Sequence, residues 1–274
     1  MEFSKPIMDI IKERTSWRTY TGAPLGQAVK DKVLALLEEK IESPLGATCK
    51  LQFITQEGLD FMQKRKLGTY GFIAGARDFI AGIVKRGDAR AVEHLGYVLE
   101  TVILHATDIG LGTCWLGGSF NKTGFAEQAK LGSDESMPAV TPIGYHPVDR
   151  RFLEGIMRTV VKANTRKPWA SLFFDGTFTA PLSEERAGVF KDALEGVRLG
   201  PSATNTQPWR VVKDKDVDAF HFYSAGGWHL DRGIAICHFD LVSKAKGHAG
   251  IWRAEDPGIA KPEGVNYVIS WRKE

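Results

Sequence analysis

The 274-residue sequence has little cysteine, little net charge and no long hydrophobic run. Its three cysteines, Cys49, Cys114 and Cys237, have no paired spacing, which argues against a disulfide framework and favours a reducing compartment. A net charge of +3 is too small to indicate nucleic acid or an anionic membrane as the main partner. No stretch approaches the roughly 18 apolar residues of a membrane span, and the charged N-terminal segment is not typical of a signal peptide. We therefore expect a cytoplasmic protein.

The sequence also lacks the motifs with which proteins supply their own reactive groups. Its seven histidines have no metal-ligand spacing and its cysteines do not cluster, so we predict no metal site. No G-x-S-x-G nucleophile motif is present. His94 and His105 lie in an apolar helical pattern and are expected to be packed, and we interpret Cys114 as a small residue in a tight loop. If the protein is an enzyme, a cofactor is expected to carry the chemistry.

An internal similarity links two parts of the chain. Residues 19–55 resemble residues 177–213, because each stretch begins with Thr, an aromatic residue and Thr, passes through Pro-Leu into a helical pattern, and reaches a loop with a proline. The apolar positions of the two patterns have the spacing of one face of a helix. They are Val29, Val33, Leu36 and Leu37 in the first stretch and Val189, Leu194 and Val197 in the second.

A second block of similarity follows in the same order. Gly96 matches Gly233 and Trp115 matches Trp252 at one common offset. Chance similarity between amphipathic helices is the alternative, but two ordered blocks favour an internal duplication that imitates a two-fold dimer. The first copy holds about twenty extra residues between its blocks. We place them within residues 71–93, where DFIAGIV has the composition of a strand.

The two copies predict one fold class. Each is expected to run helix, loop, strand, long buried helix, loop, strand, with the late strands at residues 139–146 and 265–272. We therefore predict an α+β protein of two related halves, residues 1–165 and 166–274. The halves would form a single-chain pseudo-dimer with central helices and mixed sheets.

Three polar side chains alternate near the N-terminus. Arg14, Ser16 and Arg18 have the even spacing that places side chains on one side of an extended segment. Two guanidinium groups and a hydroxyl suit a phosphate, since arginine makes charge-assisted, often bidentate contacts with it. A solvated basic turn is the alternative. Arg166 and Lys167 form a second basic cluster, for which a linker surface is the alternative.

Two loops have the composition of ligand-binding segments. Residues 110–118, GLGTCWLGG, should end a helix, and their glycines let a backbone approach a flat ligand closely. They are not the dinucleotide fingerprint, because Trp115 stands where its third glycine is needed, and a simple helix-ending loop is the alternative. Residues 201–210, PSATNTQPWR, are rich in small residues and amides without a hydrophobic period, which indicates a shaped loop.

Together these segments resemble the FMN-dependent nitroreductase family. The resemblance rests on RTSWRTY, ILHATDIGLGTCWLGG, PIGYHP, RKPWASLFF and PSATNTQPW, and the tandem order resembles a fused-dimer subgroup. In homodimers of that family each FMN lies at the subunit interface. One subunit supplies the arginine segment and the glycine loop, and its partner supplies the P-S-x-x-N loop. In this chain that loop occurs only in the second copy, which in turn lacks R-x-S-x-R.

The resemblance therefore implies one composite FMN site per chain, the symmetry-related site having been lost. Arg14, Ser16, Arg166 and Lys167 would hold the phosphate, and Arg18 would lie at the N1/O2 edge of the flavin. Backbone groups near Leu116 and Gly117 would approach N5, which carries the chemistry, so no catalytic side chain is expected. The full set of expected cofactor-binding residues is Arg14, Ser16, Arg18, Leu116, Gly117, Gly118, Arg166, Lys167, Pro201, Ser202, Asn205 and Gln207.

The implied activity is a ping-pong reduction. NADH or NADPH would reduce FMN. A small-molecule substrate, an electron-poor acceptor such as a nitroaromatic or a quinone, would then be reduced. A flavin-binding protein without turnover and a diverged relative that has lost FMN are the alternatives.

Overall fold

The computed structural model describes residues 2–148 and 165–274. Residues 149–164, which belong to the first predicted half, lie outside the described residues. Within the described ranges the helices are α1 (Ile7–Glu13), α2 (Gln27–Glu38), α3 (Phe61–Lys66), α4 (Ala89–Asp108), α5 (Lys122–Ala129), α6 (Glu184–Ala187), α7 (Lys191–Leu199) and α8 (His229–Ala245).

The strands form two sheets. The first has the order β1-β2-β4-β3 and the second the order β5-β6-β7-β9-β8. The strands are β1 (Lys50–Thr55), β2 (Asp78–Lys85), β3 (Gly112–Thr113), β4 (Glu135–Gly144), β5 (Phe173–Asp175), β6 (Trp209–Lys213), β7 (Ala219–Ala225), β8 (Gly250–Arg253) and β9 (Val265–Lys273). The two late strands predicted from the sequence are β4 and β9.

The two sheets repeat one topology. In each, four antiparallel strands are arranged in the order first, second, fourth, third, and a long helix connects the second strand to the third. The added strand β5 pairs with β6 in parallel, so the second sheet is mixed. Apart from the short helices α3 and α5 of the first unit, each unit runs helix, two strands, long helix, two strands. This is one strand more on each side of the long helix than the sequence pattern predicted. The shared order supports an internal duplication.

The long helices α4 and α8 pack on each other through two glycines. A Cβ at Gly233 would overlap the carbonyl oxygen of Glu93 and stand 2.6 Å from Tyr97 N. A Cβ at Gly96 would overlap the carbonyl oxygen of Leu230 and stand 3.0 Å from its Cα. Each glycine thus meets the residue that lies three positions before the other glycine, which is the relation that a two-fold axis between the helices produces.

A buried ion cluster joins the helices beside this crossing. Glu93, only 4% exposed, accepts from Arg90 Nη1 at 3.0 Å, from His229 Nδ1 at 2.9 Å and from Arg232 Nη1 at 2.8 Å. Burial by itself raises the pKa of Glu93, but the hydrogen bonds from His229, Arg232 and Arg90 outweigh it and leave the pKa below its ordinary value. The carboxylate therefore stabilises the contact between the halves in its charged form.

The two histidines of α4 are packed, as the sequence predicted. His105 stacks on Phe3 with 3.9 Å between ring centroids, and His94 Nδ1 lies 2.6 Å from Ser43 Oγ. Burial lowers the pKa of both imidazoles. Residues of both halves also share one hydrophobic cluster, in which Tyr97 of α4 packs with side chains of the second sheet.

Two details of the sequence prediction are wrong. The extra residues of the first half lie mainly before residues 71–93, because β2 has a counterpart in β7. Residues 56–77, which carry α3, connect β1 to β2, whereas the short segment 214–218 connects β6 to β7. Val189, predicted on the apolar face of α7, is 60% exposed because it lies in a 3-10 turn before that helix.

Candidate functional site

A cavity of about 640 Å³ lies between the two halves. Its walls come from the segment after α1, the glycine loop, the loop before β6 and the start of α8. A volume of this size suits an organic ligand as large as a cofactor. Ten of the predicted residues line it, namely Arg14, Ser16, Arg18, Leu116, Gly117, Gly118, Arg166, Pro201, Ser202 and Asn205. A separate cavity of about 660 Å³, lined by residues between Gly22 and Phe79, contains none of the predicted site residues.

Backbone pairing fixes the arginine segment against the glycine loop. Trp17 N donates to Thr113 O at 2.8 Å, and Ser16 forms a parallel bridge with Thr113. Trp17 also packs on Gly112, where a Cβ would stand 3.1 Å from the tryptophan side chain. Because Thr113 belongs to β3, the arginine segment is positioned by the first sheet.

The charge of the cavity is predominantly positive. The charged side chains in its wall are Lys12, Arg14, Arg18, Arg166 and Asp231. Two guanidinium atoms, Arg14 Nε and Arg18 Nη1, are buried and have no hydrogen-bond partner among the described residues. Since a buried donor without a partner is costly, these atoms indicate a ligand that accepts hydrogen bonds. The excess of cations favours an anionic ligand.

The loop before β6 has a strained backbone. Thr204, Asn205 and Gln207 have φ values of 48°, 58° and 48°, in the left-handed region. Non-glycine residues in sparsely populated regions cost about 1–3 kcal/mol each and are concentrated at ligand sites. Ser202 Oγ accepts a hydrogen bond from Gln207 N at 2.8 Å, which closes the loop on itself. The shape of this loop therefore points to binding.

Asp231 joins this loop to the first turn of α8. Its Oδ1 accepts from Ala203 N at 3.0 Å and its Oδ2 from Trp228 N at 3.3 Å. Burial raises the pKa of the Asp231 carboxyl, although the two backbone donors act in the opposite direction. No recognised sequence motif indicated this residue. Its position three residues after the residue that precedes α8 is a capping pattern that could have indicated it.

Arg166 and Asn205 are held by each other and by neighbouring carbonyl groups. Arg166 Nη2 donates to Leu199 O, at the end of α7, at 3.1 Å, and Arg166 Nη1 lies 3.5 Å from Asn205 Oδ1. Asn205 Nδ2 donates to Thr165 O at 2.9 Å. The Asn205 side chain thus positions Arg166 at the cavity wall.

Two predicted residues, Lys167 and Gln207, do not line the cavity. Gln207 is 3% exposed, and its Oε1 accepts from Lys167 N at 2.7 Å. Lys167 Nζ donates to Gln207 O at 3.3 Å. Burial, and to a smaller extent Arg210, lowers the pKa of Lys167. Both residues support the backbone of the loop instead of facing a ligand.

The glycine loop and two aromatic side chains form the open side of the cavity. Leu116 pairs with Val140 in the first sheet, and a Cβ at Gly118 would have no atom within 4 Å. The Trp228 ring packs over Gly117, and a Cβ added to Gly117 would stand 3.4 Å from that ring. Trp228 is 52% exposed. Phe72, also in the wall, is 42% exposed. Neither aromatic residue is predicted from the sequence, because both are distant in the chain from every recognised motif.

Two negative findings concern the part of the chain that the structure describes. No group of three His, Cys, Asp or Glu side chains there could hold a metal ion. None of the helices in those ranges has the length and apolar character needed to cross a bilayer.

Comparisons with known proteins agree with this architecture. A family model described as "Putative TM nitroreductase" matches residues 6–243. A solved "putative nitroreductase" from Thermotoga maritima is 18% identical, with a TM-score of 0.63 over 100% of this chain and 95% of that chain, which shows the nitroreductase fold. No curated protein matches the sequence.

Two further solved structures are similar to about half of the chain. An FMN-dependent nitroreductase from Clostridium difficile R20291 is 21% identical, with a TM-score of 0.42 over 52% of this chain and 88% of that chain. Nitroreductase A from Vibrio parahaemolyticus is 15% identical, with a TM-score of 0.44 over 53% of this chain and 70% of that chain.

Proposed function

The chain belongs to the TM nitroreductase family, and we propose that it is an FMN-dependent oxidoreductase with one cofactor site per chain. NADH or NADPH would supply electrons, and a nitroaromatic, a quinone or a similar electron-poor molecule would accept them. The observation that carries the proposal is the positively charged cavity between the halves. There Arg14 and Arg18 present buried donors that have no hydrogen-bond partner within residues 2–148 and 165–274.

The residues at one end of the cavity fit the phosphate of FMN. The phosphate would be held by Arg14, Ser16 and Arg166. Lys12, which no sequence motif indicated, is an additional cation in the wall. Arginine suits this task because its fork of donors matches phosphate oxygens. Lys167 is not part of this end, since its amine donates to a backbone carbonyl of the loop.

The remaining wall fits a flavin ring. Arg18 would lie at the N1/O2 edge, where a cation stabilises negative charge that develops on reduction. The backbone of Leu116 and Gly117 would approach the ring, and Gly118 leaves the neighbouring space open. Ser202 Oγ accepts from a backbone amide and keeps its own proton to donate. When bound, FMN would supply the redox chemistry by taking hydride from the nicotinamide and passing electrons to the acceptor.

The exposed aromatic residues suit flat substrates. Trp228 and Phe72 are partly exposed in the wall of the cavity, and aromatic rings bind other planar rings by offset or edge contacts. A nicotinamide and an aromatic acceptor would use this space in turn, which is the requirement of a ping-pong reaction.

The proposal is tested by titrating the purified protein with FMN and riboflavin. Wild-type protein should bind one FMN per chain, and Arg18→Gln should weaken FMN binding about 10- to 100-fold, since a charge-assisted hydrogen bond contributes about 1.5–3 kcal/mol. Arg253→Gln is the matched control, because Arg253 is an exposed arginine outside the cavity. Its FMN affinity should equal that of wild type.

Reduction and reoxidation of the flavin in the same purified protein distinguish the oxidoreductase from the two alternatives. Bleaching of bound FMN by NADH or NADPH, followed by recovery of the colour with a nitroaromatic or a quinone, supports the oxidoreductase. Bound FMN that neither nucleotide reduces would indicate a binding protein without turnover. Protein that binds no FMN would indicate a diverged relative and would overturn the proposal.

A further inference from the structure

A buried carboxylate, Glu100, connects Arg14 in the cavity wall to the second half. The side chain is fully buried in α4. Its Oε2 accepts from Trp115 Nε1, in the glycine loop, at 2.7 Å. Its Oε1 lies 3.8 Å from Arg14 Nε and 2.8 Å from His238 Nε2 on α8. One carboxyl group thus contacts the arginine segment, the glycine loop and the central helix of the other half.

The contacts of His238 require a proton between it and Glu100. His238 Nδ1 lies 2.7 Å from Gly196 O, and a carbonyl oxygen only accepts, so Nδ1 carries a proton. Nε2 faces a carboxylate oxygen at hydrogen-bond distance, which demands a second proton in that contact. Either the imidazole is charged and the carboxylate ionised, or both are neutral. In each case the pair has no net charge.

We propose that Glu100 and His238 are positioning residues that leave the positive charge of Arg14 available to an anionic ligand. Without the shared proton, an ionised Glu100 would stand at 3.8 Å from the guanidinium and cancel much of its field at the cavity. His238 balances that charge from the opposite half. The inference rests on the proposed function only for the identity of the anion, which is the phosphate of FMN.

Among the residues that the structure describes, the second half shows no equivalent arrangement. Asp240 of α8 accepts from Trp252 Nε1 at 2.9 Å, as Glu100 accepts from Trp115. Its other oxygen is met by Tyr97 Oη at 2.6 Å and by Lys244 Nζ at 2.7 Å, without a histidine. Of Glu100 and Asp240, Glu100 alone lies beside an arginine of the cavity and has a histidine partner among the described residues.

The test compares affinities for FMN and riboflavin, which differ by the phosphate. In His238→Gln the amide can still donate to Glu100 but cannot carry a compensating charge, so the FMN affinity should fall about tenfold relative to that for riboflavin. Glu100→Gln removes the negative charge itself and should change the ratio by less than about threefold. The double variant should restore the ratio, which a purely structural defect would not allow.

Several outcomes would overturn the inference. An unchanged ratio in His238→Gln would do so, and so would an equal loss in Glu100→Gln, because that result would mean that Glu100 holds Arg14 in place by its charge. If His238→Gln does not fold, the Glu100→Gln result decides. If wild type binds no flavin, the proposed function fails separately, and stabilisation by inorganic phosphate against chloride at equal ionic strength becomes the readout. If inorganic phosphate does not stabilise the wild-type protein, Arg14 does not bind an anion and the inference is overturned.

Discussion

Replacing Gly233 with alanine should loosen the contact between the halves. The new Cβ would overlap Glu93 O and stand 2.6 Å from Tyr97 N, both of them backbone atoms of α4 that cannot rotate away. Carbon atoms pack best at about 3.5–4.0 Å, so α4 and α8 would have to separate by about 1 Å. A gap of that size forfeits a quarter to a half of the dispersion energy of the atoms in contact.

Two opposing effects determine the change in the free energy of unfolding of Gly233→Ala, namely the overlap with α4 and the higher helix propensity of alanine. Overpacking of a core costs about 1–3 kcal/mol, and a backbone clash on both sides places this substitution at the upper end or above it. Alanine returns about 1 kcal/mol as the better helix former. We therefore expect a net loss of about 2 kcal/mol in the free energy of unfolding, and a fall in Tm of about 4–8 °C. The measurement is thermal and urea denaturation of the purified protein.

Gly196→Ala is the matched control in the interior of another helix. Its Cβ would meet a methyl group of the Val242 side chain at 3.2 Å and no backbone atom closer than 3.6 Å. We expect its stability to stay within about 1 kcal/mol of wild type. A Gly233→Ala protein as stable as wild type would refute the close crossing of α4 and α8. Gly96→Ala should behave like Gly233→Ala if a two-fold relation governs the contact.

Three further predictions concern the interface and the site. In Glu93→Gln, the free energy of unfolding at neutral pH should fall. The depressed pKa of Glu93 contributes stability that wild type loses as the pH drops below about 4.5. The denaturation curves of the two proteins should therefore converge in acid but differ at pH 7. Asp231→Ala leaves two backbone N–H groups without their acceptor and should weaken FMN and riboflavin binding equally, by about tenfold or more, in flavin titrations. Trp228→Ala should raise the KM for a nitroaromatic about three- to tenfold with little change in FMN affinity, as measured by steady-state kinetics; an unchanged KM would remove Trp228 from the acceptor site.

The sequence indicated which segments form the cavity wall better than it indicated which side chains face the cavity. The arginine segment, the glycine loop and the P-S-x-x-N loop each have a local composition that indicates binding. The family resemblance, together with the unequal copies, implied that the last would meet the first two. Gly96 and Gly233, noticed only as matching positions, are the contact between the central helices. Matching glycines in long apolar helices are a packing signal that the sequence already contained.

The errors at the site follow from side-chain direction. Arg166 lines the cavity, whereas the amine of its neighbour Lys167 donates to Gln207 O in the loop before β6. Asn205 and Gln207 have even spacing, but left-handed φ values at both residues break the alternation and turn Gln207 into the protein. Asp231 joins the site only through the fold, since its partner Ala203 is far from it in the chain.

The asymmetry of the two halves predicts one flavin per chain. Two copies related by a two-fold axis would have two equivalent cavities. Five residues before the shared Thr-aromatic-Thr, the first copy has Arg14 and the second copy has Leu172. Directly after the matching prolines, Pro44 and Pro201, the first copy has Leu45 and the second copy has Ser202. Both leucines are buried in the hydrophobic cluster that spans the halves. Apolar side chains at these positions fill the space that a second, symmetry-related site would need. Burial of apolar surface stabilises the contact between the halves whether or not a ligand is bound.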